Sequence, residues 1–100
     1  MRTMVKVSFP VETSNRAIKD GGLPKVIMSA MDTLKPEAAY FFTENGKRTA
    51  LMVFDMKDPS DIPSVAEPFF MNLDAEVSFT PVMNANDLKV GLEKATMQRV

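Results

Sequence analysis

The stretch "AAYFFTENGKRTALMVFDM", residues 38–56, decides the fold of this chain. Two runs of apolar and aromatic residues flank Asn45-Gly46, and Asn-Gly between such runs is the strongest short-range signal for a β-hairpin with a two-residue turn. That turn places Glu44 opposite Lys47 and fixes the pairing of the two strands outward from there. Both faces of the resulting hairpin carry large apolar side chains, although a surface hairpin needs only one apolar face.

The alternation of side chains along paired strands divides the hairpin residues into two sets. The first set is almost purely apolar and suits a face covered by helices: Ala39, Phe41, Ala50, Met52 and Phe54. The second set is mixed: Tyr40, Phe42, Thr49, Leu51, Val53 and Asp55. We expect the second set to lie on the side of the sheet that the helices leave uncovered, which we call the open face.

Two further segments have the alternation of strands. Residues 3–9 place Val5, Val7 and Phe9 on one face, and Pro10 ends this strand because it lacks a backbone N–H donor. The segment "AEVSFTPV", residues 75–82, does the same with Val77 and Phe79. These apolar residues should face the helices, so the open face gains a second, polar group from the outer strands: Lys6, Ser8, Glu76, Ser78 and Thr80.

Helical patterns occupy the remaining segments. We expect a short first turn near residues 15–19, a break at Asp20-Gly21-Gly22, and a stronger helix over residues 23–34. In "DPSDIPSVAEPFFMNL", Asp58 is the predicted N-cap and Pro59 the first helical residue, while Pro63 and Pro68 favour a kinked or two-part helix. A capping box at residues 84–87 predicts a closing helix.

The order strand, helix, strand, strand, helix, strand, with an added C-terminal helix, predicts an α+β ferredoxin-like sandwich. Residues 1–100 would form one such domain, in which a four-stranded antiparallel sheet has two helices on one face. This fold leaves the other face of the sheet open, and whatever covers that face largely determines what the protein does.

The composition excludes several kinds of chemistry. The 100 residues include neither Cys nor His, so thiolate catalysis, a Ser-His dyad and most zinc, iron or copper sites are excluded. The net charge of −1 gives no broad basic surface for nucleic acid or anionic lipid. The start "MRTMVKVSFP" lacks the apolar run of a signal peptide, and no segment has the length of a membrane span, so we expect a cytoplasmic protein that binds neither nucleic acid nor membrane.

Four open-face residues form a contiguous apolar patch of a kind that soluble monomers rarely expose: Tyr40, Phe42, Leu51 and Val53. A two-fold homodimer with sheet packed on sheet would bury it. At this point the chain resembles the dimeric α+β barrel superfamily, and "FDMKDPSDIPSVAEPFFMNLDAEVSFTPVM" is similar to the second half of a family of small bacterial proteins without an assigned activity. The resemblance implies two ferredoxin-like sheets packed face to face, and it supplies no catalytic residue.

A ligand pocket is predicted at the polar margin of the open face, where charged side chains in a partly dry cavity can act as acid, base or anchor. Its candidate residues are Lys6, Tyr40, Asp55 and Glu76, with Asn15 in a lid formed by "SNRAIKDGG". The same four sheet residues would also be explained as interface ion pairs or solvated strand ends, and Asn15 as part of a solvated helix start.

Other motifs favour structural explanations. The spacing of Asp55, Asp58 and Asp61 suggests a hard cation, but the stretch lacks the Gly and Glu of an EF-hand and Asp58 suffices as a helix cap, so we predict no metal. Gly46-Lys47-Arg48-Thr49 follows a hairpin turn rather than opening a helix, unlike a phosphate-binding loop. The nine Met residues suit irregular core packing. RNA-recognition domains share the element order, but they need aromatics on the third strand, where this chain has Thr49, Leu51 and Val53.

Two hypotheses follow for the function. The first is a homodimer that binds a small, partly apolar metabolite beside the open face, for which the resemblance to dimeric α+β barrel proteins implies cofactor-free oxygenase- or isomerase-like activity. The second is a non-catalytic structural or protein-interaction module whose open face serves only dimerisation. The sequence assigns no catalytic residue and no cofactor under either hypothesis.

Overall fold

A computed structural model describes residues 1–97 as an α+β domain with a four-stranded antiparallel sheet. The strands are β1 (Arg2–Phe9), β2 (Ala38–Glu44), β3 (Lys47–Asp55) and β4 (Glu76–Pro81). The helices are α1 (Val11–Asp20), α2 (Gly22–Leu34), α3 (Ile62–Leu73) and α4 (Ala85–Met97), and a short 3₁₀ turn, Pro59–Asp61, precedes α3.

The sheet has the strand order β2-β3-β1-β4, with every neighbouring pair antiparallel. β3 therefore lies between β1 and β2, which run in the same direction, and β2 and β4 form the two edges. The predicted α+β class and antiparallel sheet are confirmed, and the element order is compatible with a ferredoxin-like sandwich.

The Asn45-Gly46 turn sets the predicted register. Glu44 pairs with Lys47, Phe42 with Thr49 and Tyr40 with Leu51. Asn45 has φ of 54° and Gly46 φ of 74°, the two positive values that a type I′ turn requires. The hairpin is therefore aligned as its sequence predicts, and the two residue sets lie on opposite faces.

The core lies between the sheet and the helices α1, α2 and α3. Val5, Val7, Ala50 and Met52 in the two central strands are fully buried, and Phe9 meets Phe69 of α3 with ring centroids 6.3 Å apart. The prediction is wrong for Phe41, whose side chain is 54% exposed. Phe41 lies on the helix-facing side, but β2 is an edge strand and the helices do not extend over it.

The helices differ from the prediction at one place. α1 spans Val11–Asp20 rather than a short turn near residues 15–19, and it begins directly after Pro10. Ser14 and Ala17 are its buried residues, so α1 packs through small side chains that give no apolar periodicity in the sequence. The predicted break is confirmed at Gly21, whose φ of 83° ends α1 and separates it from α2.

The two remaining helices begin as predicted. Asp58 caps the 3₁₀ turn by accepting a hydrogen bond from the Ser60 N–H, and Asp61 completes a capping box. The predicted two-part helix is present, with Pro63 in the first turn of its second part, but Pro68 lies inside α3 and does not divide it. Asn84 and Asp87 form the second capping box at the start of α4, with hydrogen bonds of 2.8 and 3.1 Å. None of the helices in residues 1–97 combines the length and apolar character needed to cross a membrane.

Candidate functional site

The open face has an aromatic half and a polar half, as the alternation predicts. Tyr40 of β2 is 65% exposed, Phe42 beside it is also exposed, and Leu51 and Val53 of β3 are half-buried beneath them. Thr49 is buried and its hydroxyl donates to the Lys47 carbonyl at 3.1 Å. The uncovered apolar surface is therefore formed mainly by the two β2 aromatics.

The polar half contains a recess of about 250 Å³, which we call the polar recess. It is lined by Lys6, Ser8, Glu44, Asn45, Glu76, Val77 and Ser78. The strand register explains why these side chains meet, because Ser78 lies opposite Lys6 and Glu76 opposite Ser8. The Lys6 ammonium forms an ion pair with the Glu44 carboxylate across the sheet.

The charges of the polar recess determine which kind of ligand it suits. Within residues 1–97, Glu44 has Lys6 as an ion-pair partner, whereas Glu76 is exposed and has none. Two carboxylates and one ammonium leave the recess with one net negative charge. The two serine hydroxyls add hydrogen-bonding groups, so the arrangement suits a ligand that donates hydrogen bonds or carries a positive charge.

The structure brings together only part of the predicted pocket. Lys6 and Glu76 line the polar recess, and Tyr40 lies in the same row of the sheet as Lys6 but two strands away, roughly 10 Å between backbones. A ligand that touches both Lys6 and Tyr40 would therefore have to cross β3 over Leu51.

Asp55 lies at the far end of the sheet from the polar recess. Its carboxylate accepts a hydrogen bond from the N-terminal ammonium at 2.7 Å and forms an ion pair with Lys57. The hydrogen bond from Lys57, followed by that from the N-terminus, lowers the pKa of Asp55 from 3.8 to about 2. Asp58 and Asp61 are occupied in the helix cap, so the three aspartates do not converge on one point.

Asn15 lies on the helix-covered side of the sheet. Its side-chain oxygen accepts a hydrogen bond at 2.9 Å from Arg48 of β3, and the same guanidinium nitrogen donates to the Ser14 hydroxyl at 2.7 Å. Asn15 therefore helps to fix α1 on the sheet rather than covering the polar recess. Arg48 is not among the predicted site residues, although it is the one charged residue in the helix-facing alternation of β3.

A second cavity, of about 270 Å³, lies between α2 and α3 on the covered side. Val26, Ala30, Leu34, Val65 and Phe69 form its apolar floor. Small residues on the facing helix surfaces, among them Ser29 and Ser64, leave this gap between the two helices. The sequence pattern indicated the apolar stripe of α2, but the spacing between two helices is set by tertiary packing.

No known family model matches the chain, and no curated protein matches it either.

Proposed function

We propose that this protein is a homodimer of the dimeric α+β barrel type that binds a small, partly apolar molecule between the open faces of its two subunits. The observation that supports this proposal is the open face itself, where exposed aromatics of β2 adjoin the polar recess at Lys6, Glu44 and Glu76. An apolar surface of this kind on a soluble chain marks an interaction site. A second sheet would cover Tyr40 and Phe42 and turn the shallow polar recess into an enclosed one.

The polar recess defines the class of ligand under this proposal. The apolar part of the molecule would lie over Leu51 and against Phe42, and its hydrogen-bond-donating or cationic end would point to Glu76. Enclosure by the partner's sheet would remove water and strengthen that contact. Cofactor-free isomerase- or oxygenase-like chemistry would then use Glu76 or the paired Lys6 and Glu44 for proton transfer, since these are the ionisable side chains that line the polar recess.

The dimer is tested by sedimentation of the wild type and of Leu51→Arg. We expect a wild-type dimer, and we expect the arginine to dissociate it because a charge would enter a desolvated face. Met71→Arg is the matched control, since Met71 is highly exposed on α3, away from the open face. A wild type that sediments as a monomer, with Leu51→Arg unchanged, would exclude the sheet-to-sheet dimer.

The ligand is tested by a thermal-shift screen against a library of small metabolites that includes matched amines and carboxylic acids. Binding to the folded state raises the melting temperature by mass action. We expect hits among amines with an apolar body, and we expect Glu76→Gln to abolish the shift while Lys25→Met, on the covered side, retains it. Hits that are indifferent to Glu76→Gln would place the ligand elsewhere.

A non-catalytic interaction module is the second candidate. It is favoured by the Lys6–Glu44 ion pair, which already occupies one side of the polar recess in the single chain. This alternative predicts the same dissociation by Leu51→Arg together with no shift from any library member. The thermal-shift screen therefore separates the two candidates, and the sedimentation experiment tests the dimer that both require.

A further inference from the structure

Helix α4 extends away from the rest of the domain. Within residues 1–97 no residue of α4 is buried, and Leu92 is 59% exposed. The radius of gyration is 16.2 Å, against roughly 13 Å for a compact domain of this length. The longest dimension of 59 Å is more than twice the next, 27 Å. An element without buried residues at the end of the described chain accounts for this elongation.

Such a helix is poorly stable without a surface to pack on. Isolated helices shorter than about 12–15 residues are marginal in water, and α4 has 13 residues. Gly91 in its interior costs about 1 kcal/mol relative to alanine. Leu88, Leu92 and Ala95 nevertheless follow each other at helical spacing and form an apolar stripe, the feature by which helices gain tertiary stability.

The first turn of α4 is fixed at the margin of the open face. Asp87 accepts a hydrogen bond at 2.6 Å from Arg2 of β1, and Arg2 also donates to Glu37 at 2.7 Å. Arg2 alternates with Met4 and Lys6 on the open side of the sheet. The apolar stripe of α4 therefore begins next to the open face, for which we propose a partner sheet, and extends away from the domain.

Within residues 1–97, no helix covers the opposite edge of the sheet. α4 follows the edge strand β4, and the other edge strand is β2. β2 exposes Tyr40 on the open side and Phe41 on the helix-facing side. One chain therefore carries an uncovered helix at one edge and uncovered aromatics on both sides of the other edge.

The areas that an interface could bury favour a second copy of the chain as the partner of both α4 and the β2 edge. Four strands at about 4.8 Å spacing, each about seven residues long, give an open face of roughly 450 Å². A stable interface buries about 800 Å² per partner, so the open face alone supplies little more than half. A 13-residue helix about 20 Å long and about 10 Å wide covers roughly 200 Å². In a two-fold dimer each chain gives one helix and receives one, which brings the buried area to the required size.

We propose that α4 is an exchanged arm: in the homodimer its stripe of Leu88, Leu92 and Ala95 packs along the outer edge of β2 of the second copy, where it covers Phe41 and the side of Tyr40 that the second sheet leaves open. This inference rests on the sheet-to-sheet dimer proposed above and adds a separate contact to it. The arrangement is reciprocal because the two-fold axis makes both arms equivalent. The arm would also close the aromatic end of the space between the two sheets.

The first test compares two variants of the full chain by sedimentation over a range of concentrations. Leu92→Lys places a charge in the stripe, and Val90→Lys places the same charge on the opposite side of α4. We expect Leu92→Lys to weaken dimerisation about tenfold or more, as for a central apolar interface residue, and Val90→Lys to change it less than about threefold. Equal effects of the two variants would overturn the exchanged arm.

The second test uses the absence of Cys from the sequence, which makes introduced thiols unique. Thr43→Cys marks the exposed β2 edge and Leu92→Cys marks the stripe. After the two single variants are mixed and treated with a short bismaleimide, we expect a covalent dimer that neither variant gives alone. The chain with both substitutions should give the same dimer. A cross-link formed only within one chain would show that α4 folds back on its own sheet, and would overturn the proposal.

The two proposals can fail separately. A wild-type dimer that is dissociated by Leu51→Arg, is insensitive to Leu92→Lys and gives no interchain cross-link would overturn the exchanged arm and leave the sheet-to-sheet dimer standing. An interchain cross-link in a protein whose dimer ignores Leu51→Arg would support the arm and overturn the sheet packing.

Discussion

The two faces of the sheet are built from the same four strands and differ in what covers them. On the helix-covered face, Val5, Val7, Ala50 and Met52 are fully buried by α1, α2 and α3 of the same chain. The open face is formed by the alternate residues of the same strands, and there the described chain places no layer over Tyr40 or Phe42. The covered face accounts for the stability of the single chain, and the open face is the surface to which our proposals assign a partner.

The largest effect should come from the helix layer over the covered face. Phe69 of α3 is 1% exposed and packs on Phe9. We expect Phe69→Ala to lower the free energy of unfolding by about 3–5 kcal/mol, because a buried ring is replaced by a cavity. Phe70, its neighbour in the sequence, is 41% exposed, so Phe70→Ala should cost only about 1–2 kcal/mol. Urea denaturation of both variants measures the difference, and equal losses would mean that α3 does not cover the sheet as described.

A smaller effect is expected at the polar contact between the covered face and α1. Arg48→Ala removes the guanidinium that donates to Ser14 and Asn15. The Ser14 hydroxyl is fully buried and keeps only its 3.2 Å bond to the Val11 carbonyl. We therefore expect a loss of about 1–3 kcal/mol in urea denaturation, the cost of a buried group that loses a partner.

The control for Arg48 is a basic residue on the open face. Lys6 forms one ion pair, with Glu44, and both side chains are partly exposed. Lys6→Ala should therefore change the free energy of unfolding much less than Arg48→Ala, because solvent screens such pairs. A larger loss from Lys6→Ala would show that the open face, not the helix-covered one, holds the critical polar contact.

Substitutions in the Asn45-Gly46 turn, which assigns residues to the two faces, should have an intermediate to small effect on the free energy of unfolding. Gly46→Ala forces a side chain into a φ of 74°, which costs about 1–2 kcal/mol. Asn45→Gly is the matched change, since glycine adopts the φ of 54° at that position without strain, and we expect a change of less than about 0.5 kcal/mol. Thermal unfolding of the two variants checks the contrast. Equal destabilisation would argue against a type I′ turn.

The arrangement of the two faces could be predicted from the sequence because it depends on local rules. The turn at Asn45-Gly46 fixes the register, and alternation then assigns every residue of β2 and β3 to a side. The extent of the helix layer does not follow from such rules. Phe41 has the pattern of a core residue, yet it lies on an edge strand that the helices do not reach. The prediction for α1, a short turn near residues 15–19, is too short for a related reason, since the contact of α1 with the sheet uses Ser14, Ala17 and Arg48 rather than an apolar stripe.

The candidate site was predictable only where neighbouring strands bring residues together. Lys6 and Glu76 share the polar recess because β1 and β4 pair in the expected way. Strand alternation predicts Asp55 at the same pocket and a polar lid predicts Asn15 there, but each has a partner distant in the sequence. Arg48 holds Asn15, and the N-terminal ammonium holds Asp55. Long-range partners of this kind leave no periodic signal.

The smallest effect on the free energy of unfolding is expected for the exposed charges of the open-face set. Asp55 is the example, and its contribution should depend on pH. Lys57 and the N-terminus lower its pKa from 3.8 to about 2, so the folded state binds the proton more weakly than the unfolded state. Its stabilising contribution is therefore complete above about pH 4 and disappears as the pH falls to about 2.

The measurement is the difference in unfolding free energy between the wild type and Asp55→Asn, followed from pH 7 to pH 2. We expect a small difference that is constant down to about pH 4 and vanishes near pH 2. Lys57→Met should remove much of the same difference, because the Lys57 hydrogen bond is the first cause of the lowered pKa. Salt at about 0.5 M should reduce it further, because exposed pairs are screened. A difference that persisted at pH 2, or resisted salt, would mean that Asp55 acts through packing rather than charge. Asp55 would then stabilise the fold by packing, as the residues of the covered face do.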